Sequence, residues 1–260
     1  MKYFVLLVCL TIPFLKSYSQ NIIITADSLS KYAYTMLGLT GTPSTKFGTC
    51  FFVRSNDDLF LVTAKHILYK CDSLSKKTIP VFKSIVVSVS LNPAIQINFT
   101  APQRNDTCLA IGRDTDLVVI KIKSQWNSII NSVEKFMIPP FKELGDIEIF
   151  GQGLRIVSNS AYFENPHHIH LTRNEFTIYH DTPGSDLSYL DTVHYFIQTS
   201  KVGNATRGFS GSPVFLQDNI SKNWRICGVL NGVISSLFQF WIGGFVAVKP
   251  EYIMKYIKEY

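Results

Sequence analysis

The sequence predicts an all-β protein, either a barrel or a sandwich, and two observations lead to this prediction. Short apolar runs bounded by turn residues recur about every ten residues from Gly48 onward, as is typical of strands. Glycine, proline and aromatic residues are scattered without a fixed period, and helical patterns occur only near the two ends. An α/β sheet needs helices between its strands, so that fold class is disfavoured.

The predicted elements follow the chain in a simple order. Residues 21–45 form a polar lead, which has a helical pattern between Asp27 and Met36 and then becomes rich in turn residues. The last ten residues, EYIMKYIKEY, predict a short amphipathic helix. The strands in between are predicted in the runs TCFFV, LFLVTA, SIVVSVSL, IQINFTA, DLVVIKI, DIEIFGQG, RIVS, HIHLT, FTIYH, VHYFIQTS, PVF, RICGVLNGVI and GGFVAV.

The N-terminal residues 1–19 have the pattern of a cleaved secretory signal peptide. Lys2 precedes an apolar run that ends at Leu15, and small residues follow before Gln20. The run is shorter than the roughly 18–20 apolar residues of a membrane-spanning helix, so an uncleaved anchor is the less favoured alternative. We therefore expect export to the periplasm or the extracellular space, with no membrane span after cleavage.

Composition excludes several classes of function. The chain is 46% hydrophobic, which is too apolar for a disordered protein. Its net charge is +6, and cleavage of the signal peptide would lower this charge by removing Lys2 and Lys16. The remaining basic residues are dispersed and are not interleaved with stacking aromatic residues, so nucleic-acid binding is not predicted. Oligomeric state cannot be inferred from composition.

Neither the cysteines nor the histidines predict a metal site or another cofactor. The cysteines that follow the signal peptide are Cys50, Cys71, Cys108 and Cys227. Export permits disulfides among them, but they lack the close pairs of a zinc site. His167, His168 and His170 lie together in NPHHIHLT, yet no carboxylate or cysteine lies at ligand spacing.

Three short segments carry residues that suit nucleophilic catalysis. The apolar run LFLVTA leads directly into His66, and Asp116 immediately precedes the run LVVIKI. The segment GFSGSP places Ser210 between Phe209 and Gly211, where glycines permit a sharp turn. Taken singly, these are an ordinary buried or surface histidine, a turn aspartate and a tight turn of small residues.

Together the three residues supply every role that a serine nucleophile requires. A serine hydroxyl is a poor nucleophile until a base removes its proton and a third group orients that base. His66 suits the base, Asp116 the orienting acid and Ser210 the nucleophile. Their order along the chain differs from the Ser, acid, His order of α/β-hydrolases. Ser212 and Asp114 are the rival candidates for nucleophile and acid.

The segments VTAKHIL, TDLVVIKI and GFSGSPVF resemble the three active-site motifs of trypsin-like serine peptidases of the chymotrypsin fold, particularly bacterial ones. The resemblance implies two perpendicular six-stranded antiparallel barrels followed by a short C-terminal helix, with the active site in the cleft between the barrels. It places the peptidase domain at 20–260, with the first barrel at about 45–125, a connector at about 126–144, the second barrel at about 145–250 and the helix at 250–260.

The same resemblance assigns further residues. The N–H groups of Gly208 and Ser210 are expected to form the oxyanion hole. The side-chain pocket is expected to involve Asn204, Ala205, Asn231, Gly232 and Val233. A disulfide is expected between Cys50 and Cys71, which resemble the pair that closes the histidine loop, whereas Cys108 and Cys227 are expected to be buried thiols.

The function implied is an exported serine endopeptidase that hydrolyses protein or peptide substrates through an acyl-enzyme. Two alternatives remain on sequence alone. One is a catalytically silent binding or scaffold protein on the protease fold, and the other is an esterase that uses the same residues.

Overall fold

We describe the chain from a computed structural model, which covers residues 26–39, 47–71, 78–80, 84–88, 94–98, 109–111, 115–122, 130–139, 141, 143–151, 154–157, 160–163, 167–179, 192–201, 208–234 and 243–259. These residues are mostly strand. The helices are α1 (Ala26–Leu29), α2 (Lys65–Leu68) and α3 (Pro250–Lys258), and short 3-10 turns occur at Ser30–Tyr32 and Arg173–Glu175. None of the helices in these ranges is long and apolar enough to cross a membrane.

The strands form two large antiparallel sheets. The first contains β1 (Tyr34–Leu39), β2 (Phe47–Ser55), β3 (Asp58–Ala64), β6 (Ser84–Ser88), β7 (Ala94–Asn98), β8 (Leu109–Ile111) and β9 (Leu117–Ile122). The second contains β10 (Leu144–Gly151), β13 (His167–Leu171), β14 (Thr177–Tyr179), β15 (His194–Gln198), β16 (Pro213–Asp218), β17 (Trp224–Ile234) and β18 (Gly244–Val248). Two hairpins lie outside them: β4 (Tyr69–Cys71) with β5 (Thr78–Pro80), and β11 (Leu154–Val157) with β12 (Ser160–Phe163).

Strand order shows that the second sheet curls on itself. The orders are β7-β6-β1-β2-β3-β9-β8 and β13-β10-β16-β17-β18-β15-β14. In the second sheet the two end strands, β13 and β14, are joined by residues 172–176 alone. So short a connection brings the two edges of the sheet near each other, as in a barrel. The double-barrel prediction is therefore confirmed.

The number of strands differs from the prediction. Among the described residues each sheet has seven strands, where six were expected. In the second barrel the stretch 167–179 is interrupted by the 3-10 turn at Arg173–Glu175. A capping box between Thr172 and Glu175 stabilises this turn. The two runs predicted here, HIHLT and FTIYH, thus form the separate strands β13 and β14.

The first barrel also begins earlier than the expected start near residue 45. The helical pattern predicted over Asp27–Met36 ends after α1 and one 3-10 turn, and β1 starts at Tyr34. β1 lies between β2 and β6, so its residues Tyr34, Thr35 and Met36 are all buried. A strand buried on both faces lacks the apolar–polar alternation that identifies strands in a sequence.

The connector joins the two barrels through backbone hydrogen bonds. Val133 donates to the carbonyl of Phe52 and accepts from Arg54 in the first barrel, with N···O distances of 2.9 and 3.0 Å. Four residues later, Met137 donates to the carbonyl of Ile226 in the second barrel at 2.9 Å. The connector therefore fixes the spacing between β2 and β17.

Three apolar cores stabilise this arrangement, one inside each barrel and one between them. The core between the barrels includes side chains from both, among them Phe51, Val62, Phe215 and Ile226, all of which are buried. Each large apolar side chain in such a core contributes about 1.5–3 kcal/mol. Helix α3 adds Ile253 and Tyr256 to the same core. The two barrels are therefore packed against each other through a shared apolar core.

Candidate active site

His66 and Asp116 are brought together by the pairing of β3 with β9. The strands are antiparallel, and Ala64 at the end of β3 lies opposite Leu117 at the start of β9. Asp116 directly precedes β9 and His66 follows β3 within α2, so the strand register places the two side by side. This is the arrangement that the sequence motifs suggested.

Asp116 orients His66 through both of its carboxylate oxygens. Its Oδ2 lies 2.5 Å from His66 Nδ1, and its Oδ1 accepts a hydrogen bond from the His66 backbone N–H at 2.7 Å. The backbone of Lys65 adds a hydrogen bond to the Asp116 carbonyl at 3.2 Å. An ionised carboxylate at Nδ1 favours the tautomer with the proton on that nitrogen, which leaves Nε2 as the base. The rival acid, Asp114, lies outside the described residues.

The segment carrying Ser210 forms a tight turn with unusual backbone geometry. Gly208 and Gly211 have φ values of 107° and 85°, which disfavour any residue with a side chain. The Ser212 N–H donates to the Phe209 carbonyl at 2.9 Å, and the Gly211 N–H donates to the Leu230 carbonyl at 2.7 Å. These bonds close the turn and attach it to β17.

This turn, the nucleophile loop (residues 208–212), also docks on the first barrel. A Cβ at Gly211 would lie 2.1 Å from the Thr49 carbonyl and 3.1 Å from the backbone N of Ala64, so only glycine fits there. Ala64 is two residues before His66. The loop therefore brings Ser210 to the same end of β3 that carries the histidine.

The hydroxyl of Ser210 does not bond to His66 within the described residues. It donates instead to the carbonyl of Asn231 on β17, at the long distance of 3.4 Å. Because a serine hydroxyl changes partner by a single χ1 rotation, this weak bond is readily exchanged. Of the three predicted residues, the histidine and aspartate are hydrogen-bonded, and the serine lies on the loop beside them.

Ser212, the rival nucleophile, is fully buried. Its side chain has no exposed surface, and its hydroxyl has no hydrogen-bond partner among the described residues. Ser210 is only partly buried. A substrate arriving from solvent would therefore meet the hydroxyl of Ser210 and not that of Ser212.

The residue between the two expected oxyanion donors has a buried side chain. The ring of Phe209 is buried and lies over Gly151, where an added Cβ would be 2.5 Å from the ring. This packing fixes the residue between the two predicted donors, Gly208 and Ser210. Among the described residues, neither of those N–H groups makes a hydrogen bond.

Part of the expected side-chain pocket lies on β17. The pairing of β17 with β18 shifts register between Leu230 and Gly232, which marks a bulge at Asn231. An added Cβ at Gly232 would meet nothing within 4 Å, and Val233 is 40% exposed. This end of β17 thus presents an open surface beside Ser210. The other two expected pocket residues, Asn204 and Ala205, lie outside the described residues.

The expected disulfide between Cys50 and Cys71 is not formed. Cys50 is a free thiol, fully buried in the core of the first barrel, and the side chain of Cys71 lies outside the described part of the chain. Cys227 is a buried free thiol in the second core, as expected, and Cys108 lies in an undescribed range. Burial raises the pKa of both described thiols, that of Cys227 to about 12. Neither is therefore suited to act as a nucleophile.

One polar cluster was missed in the sequence. Glu148 on β10 is buried, and its two carboxylate oxygens contact His168 Nε2 and, at 2.7 Å, His170 Nδ1. Glu148 and His170 are paired across β10 and β13, so only the strand register brings the carboxylate to the histidines. Among the described residues, no group of three or more His, Cys, Asp or Glu side chains has the arrangement of a metal site.

No protein-family model matches the sequence, and no curated protein matches it. Solved structures match in fold over most of the chain. A thermostable serine protease, AL20, from an extremophilic microorganism has a TM-score of 0.51 at 14% identity, with 87% of this chain and 95% of that chain covered. GrC has a TM-score of 0.51 at 13% identity, with coverages of 91% and 96%.

A substrate complex of catalytically inactive tobacco etch virus protease has a TM-score of 0.48 at 13% identity, with 90% of this chain and 86% of that chain covered. Identities this low establish the fold alone. The strand order of the two barrels and the matches to AL20 and GrC lead to one conclusion, that the chain has the chymotrypsin-like fold of serine proteases.

Proposed function

We propose that the chain is an exported serine endopeptidase whose triad is His66, Asp116 and Ser210. The observation that carries the proposal is the pair of hydrogen bonds that one Asp116 carboxylate accepts from the ring and the backbone of His66. Such a pair leaves Nε2 of the imidazole as a base beside the nucleophile loop. The fold shared with the serine protease AL20 supports the same function. Export rests on the signal-peptide pattern of residues 1–19, which precede the described residues.

Acylation begins when the Ser210 hydroxyl leaves the Asn231 carbonyl and gives its proton to His66 Nε2. The serine oxygen attacks the carbonyl carbon of the scissile peptide bond, and the negative charge moves to the carbonyl oxygen. The N–H groups of Gly208 and Ser210 stabilise that oxyanion, while Asp116 stabilises the imidazolium. His66 then protonates the leaving amine, and the C–N bond breaks.

Deacylation repeats these roles with water. His66, neutral again, removes a proton from a water molecule that attacks the acyl-serine ester. The same two N–H groups stabilise the second oxyanion, and His66 returns the proton to the Ser210 oxygen as the acid product leaves. Each proton in the cycle thus moves between Ser210, His66, the substrate and water.

The substrate is a protein or peptide whose side chain at the cleavage site carries no charge. Cleavage after lysine or arginine requires a buried carboxylate in the pocket, as in trypsin. The expected pocket residues are Asn204, Ala205, Asn231, Gly232 and Val233, none of which is acidic. We therefore propose a preference for small, apolar or polar uncharged side chains.

Turnover tests the proposal directly. Purified protein lacking residues 1–19 is expected to cleave casein, and the Ser210→Ala variant is expected to lose activity by roughly 10⁶-fold, as when a triad member is removed. Ser212→Ala serves as the matched control, because it removes a neighbouring hydroxyl that is buried. Equal casein cleavage by the parent and Ser210→Ala would contradict the proposal.

A second candidate is a catalytically silent binding or scaffold protein on the same fold. The observation that favours it is the hydrogen bond of Ser210 to Asn231, which leaves the serine unpaired with His66. A fluorophosphonate discriminates between the two, because it reacts with an activated serine and not with an inactive one. An esterase would also react with the probe but would hydrolyse esters and leave casein intact.

A further inference from the structure

Thr49, on β2 of the first barrel, holds the nucleophile loop of the second barrel with two hydrogen bonds. Its hydroxyl donates to the carbonyl of Gly208 at 2.7 Å, and its backbone N–H donates to the carbonyl of Ser210 at 3.0 Å. These two carbonyls belong to the peptide groups on either side of the peptide that joins Phe209 to Ser210. One residue of the first barrel therefore fixes two peptide planes of the loop that carries the nucleophile.

Thr49 is itself held in place by its own barrel. Its carbonyl accepts a hydrogen bond from the hydroxyl of Thr63 at 2.8 Å, and both threonines are fully buried. The Thr49 carbonyl and the Thr63 hydroxyl fill the space that a Cβ on Gly211 would occupy. The contact between Thr49 and the loop is thus close-packed as well as hydrogen-bonded, and it has little room to shift.

The direction of the two expected oxyanion donors depends on these contacts. The N–H of Ser210 belongs to the peptide between the two planes that Thr49 holds, and the buried ring of Phe209 prevents that peptide from turning. The direction of the Gly208 N–H depends on the φ of Gly208, which is 107°. The anchored carbonyl of the same residue helps to maintain that angle. Without the threonine hydroxyl, the Gly208 carbonyl would lose its partner, and the glycine would be free to rotate.

We infer that Thr49 is a positioning residue, which holds the Gly208 carbonyl so that the N–H groups of Gly208 and Ser210 stay aimed at the substrate's developing oxyanion. It touches neither substrate nor reacting atoms and acts only through the loop. For its effect on turnover, the inference rests on the function proposed above. Its effect on the loop itself is independent of that function.

Three variants separate the hydroxyl from the packing. Thr49→Val keeps the shape of the side chain and removes the hydroxyl, whereas Thr49→Ser keeps the hydroxyl. Thr35→Val is the matched control, because Thr35 is a buried threonine directly opposite Thr49 in the β1–β2 pair. If Thr49→Val does not fold, Thr49→Ala removes the hydroxyl without adding a methyl group and takes its place.

Amide hydrogen exchange of peptides covering residues 208–212 gives a readout that needs no activity. The Gly211 amide donates to the Leu230 carbonyl on β17 and the Ser212 amide donates to the Phe209 carbonyl, so both should exchange slowly in the parent. We expect exchange at least about tenfold faster in Thr49→Val, with Thr49→Ser and Thr35→Val close to the parent. Unchanged exchange in Thr49→Val would overturn the inference, even if the parent shows no hydrolysis and the proposed function fails.

Steady-state hydrolysis gives the second readout. A misaligned oxyanion hole weakens only the transition state, so kcat in Thr49→Val should fall about 10- to 100-fold while KM changes less than about threefold. Thr49→Ser should restore most of the loss, and Thr35→Val should retain the parent kcat. If Thr49→Ser is as slow as Thr49→Val, or if Thr49→Val turns over like the parent, the hydroxyl does not position the loop.

Discussion

One carboxylate, that of Asp116, accepts hydrogen bonds from both the ring Nδ1 and the backbone N–H of His66. The hydrogen bond from the backbone N–H of His66 ties Asp116 to the first turn of α2. Asp116 therefore fixes the position of the histidine backbone as well as the orientation of its ring. This dual contact allows the two roles to be separated by mutation.

Asp116→Asn should preserve the fold and lose activity. The amide oxygen still accepts the backbone N–H of His66, but the amide nitrogen then faces Nδ1 and favours the tautomer with the proton on Nε2. A histidine protonated at Nε2 cannot take the serine proton, so kcat should fall about 10⁴-fold. Thermal unfolding should stay within a few degrees of the parent, and a variant that retains full kcat would show that Asp116 does not orient the base.

Gly211→Ala should destabilise the protein through backbone strain and a steric clash. The φ of 85° is strained for alanine, and the new Cβ would overlap the Thr49 carbonyl at 2.1 Å. We expect the midpoint of thermal unfolding to fall by at least about 5 °C. Gly232→Ala is the matched control, because its Cβ meets nothing within 4 Å. Equal unfolding midpoints for the two variants would contradict the docking of the loop on the first barrel.

Tyr34 should make stability fall at alkaline pH. Burial raises the pKa of its phenol from 10.0 to about 12, while its hydroxyl exchanges hydrogen bonds with the backbone of Asn131 in the connector. The folded state thus favours the neutral phenol, so this stabilisation is complete below pH 10 and is lost as the pH rises toward about 12. The loss amounts to about 3 kcal/mol at most.

Urea unfolding of the parent and Tyr34→Phe, at about pH 8 and about pH 11, measures this contribution. Other groups titrate in both proteins and cancel in the comparison. Tyr34→Phe should be less stable than the parent at the lower pH and should lose less stability on going to the higher one. Parallel losses in the two proteins would show that Tyr34 does not respond to pH as described.

A peptide-library cleavage profile checks the proposed side-chain preference. The open surface at Gly232 and Val233, together with the amide of Asn231, offers no carboxylate to pair with a cationic side chain. We expect cleavage after small, apolar or polar uncharged residues. A profile dominated by lysine and arginine would show that the pocket lies elsewhere.

Short local motifs were enough to select the candidate site residues from the sequence, and their catalytic roles stay predictions. His66 lies in the helix that follows β3, Asp116 directly precedes β9, and Ser210 lies in a turn that contains Gly208 and Gly211. The C-terminal helix was also found from its own pattern and extends over Pro250–Lys258. The double barrel followed from the combination of these motifs with many short strands.

Contacts between distant residues were beyond the reach of such patterns. Thr49 and Gly208 are 159 positions apart, and only the docking of the two barrels brings them together. Glu148 meets His170 through strand register, which the sequence does not display. The predicted disulfide failed for a related reason, because spacing in sequence did not reveal that Cys50 points into the core of its barrel.

The central claim is that Ser210 is an activated nucleophile, and mapping a fluorophosphonate adduct tests it most directly. The purified protein is treated with the probe, digested and analysed by mass spectrometry, in parallel with Ser210→Ala and Ser212→Ala. We predict one adduct, on Ser210, in the parent and in Ser212→Ala, and no adduct in Ser210→Ala. A folded parent that takes up no probe, or an adduct that persists in Ser210→Ala, would contradict the account.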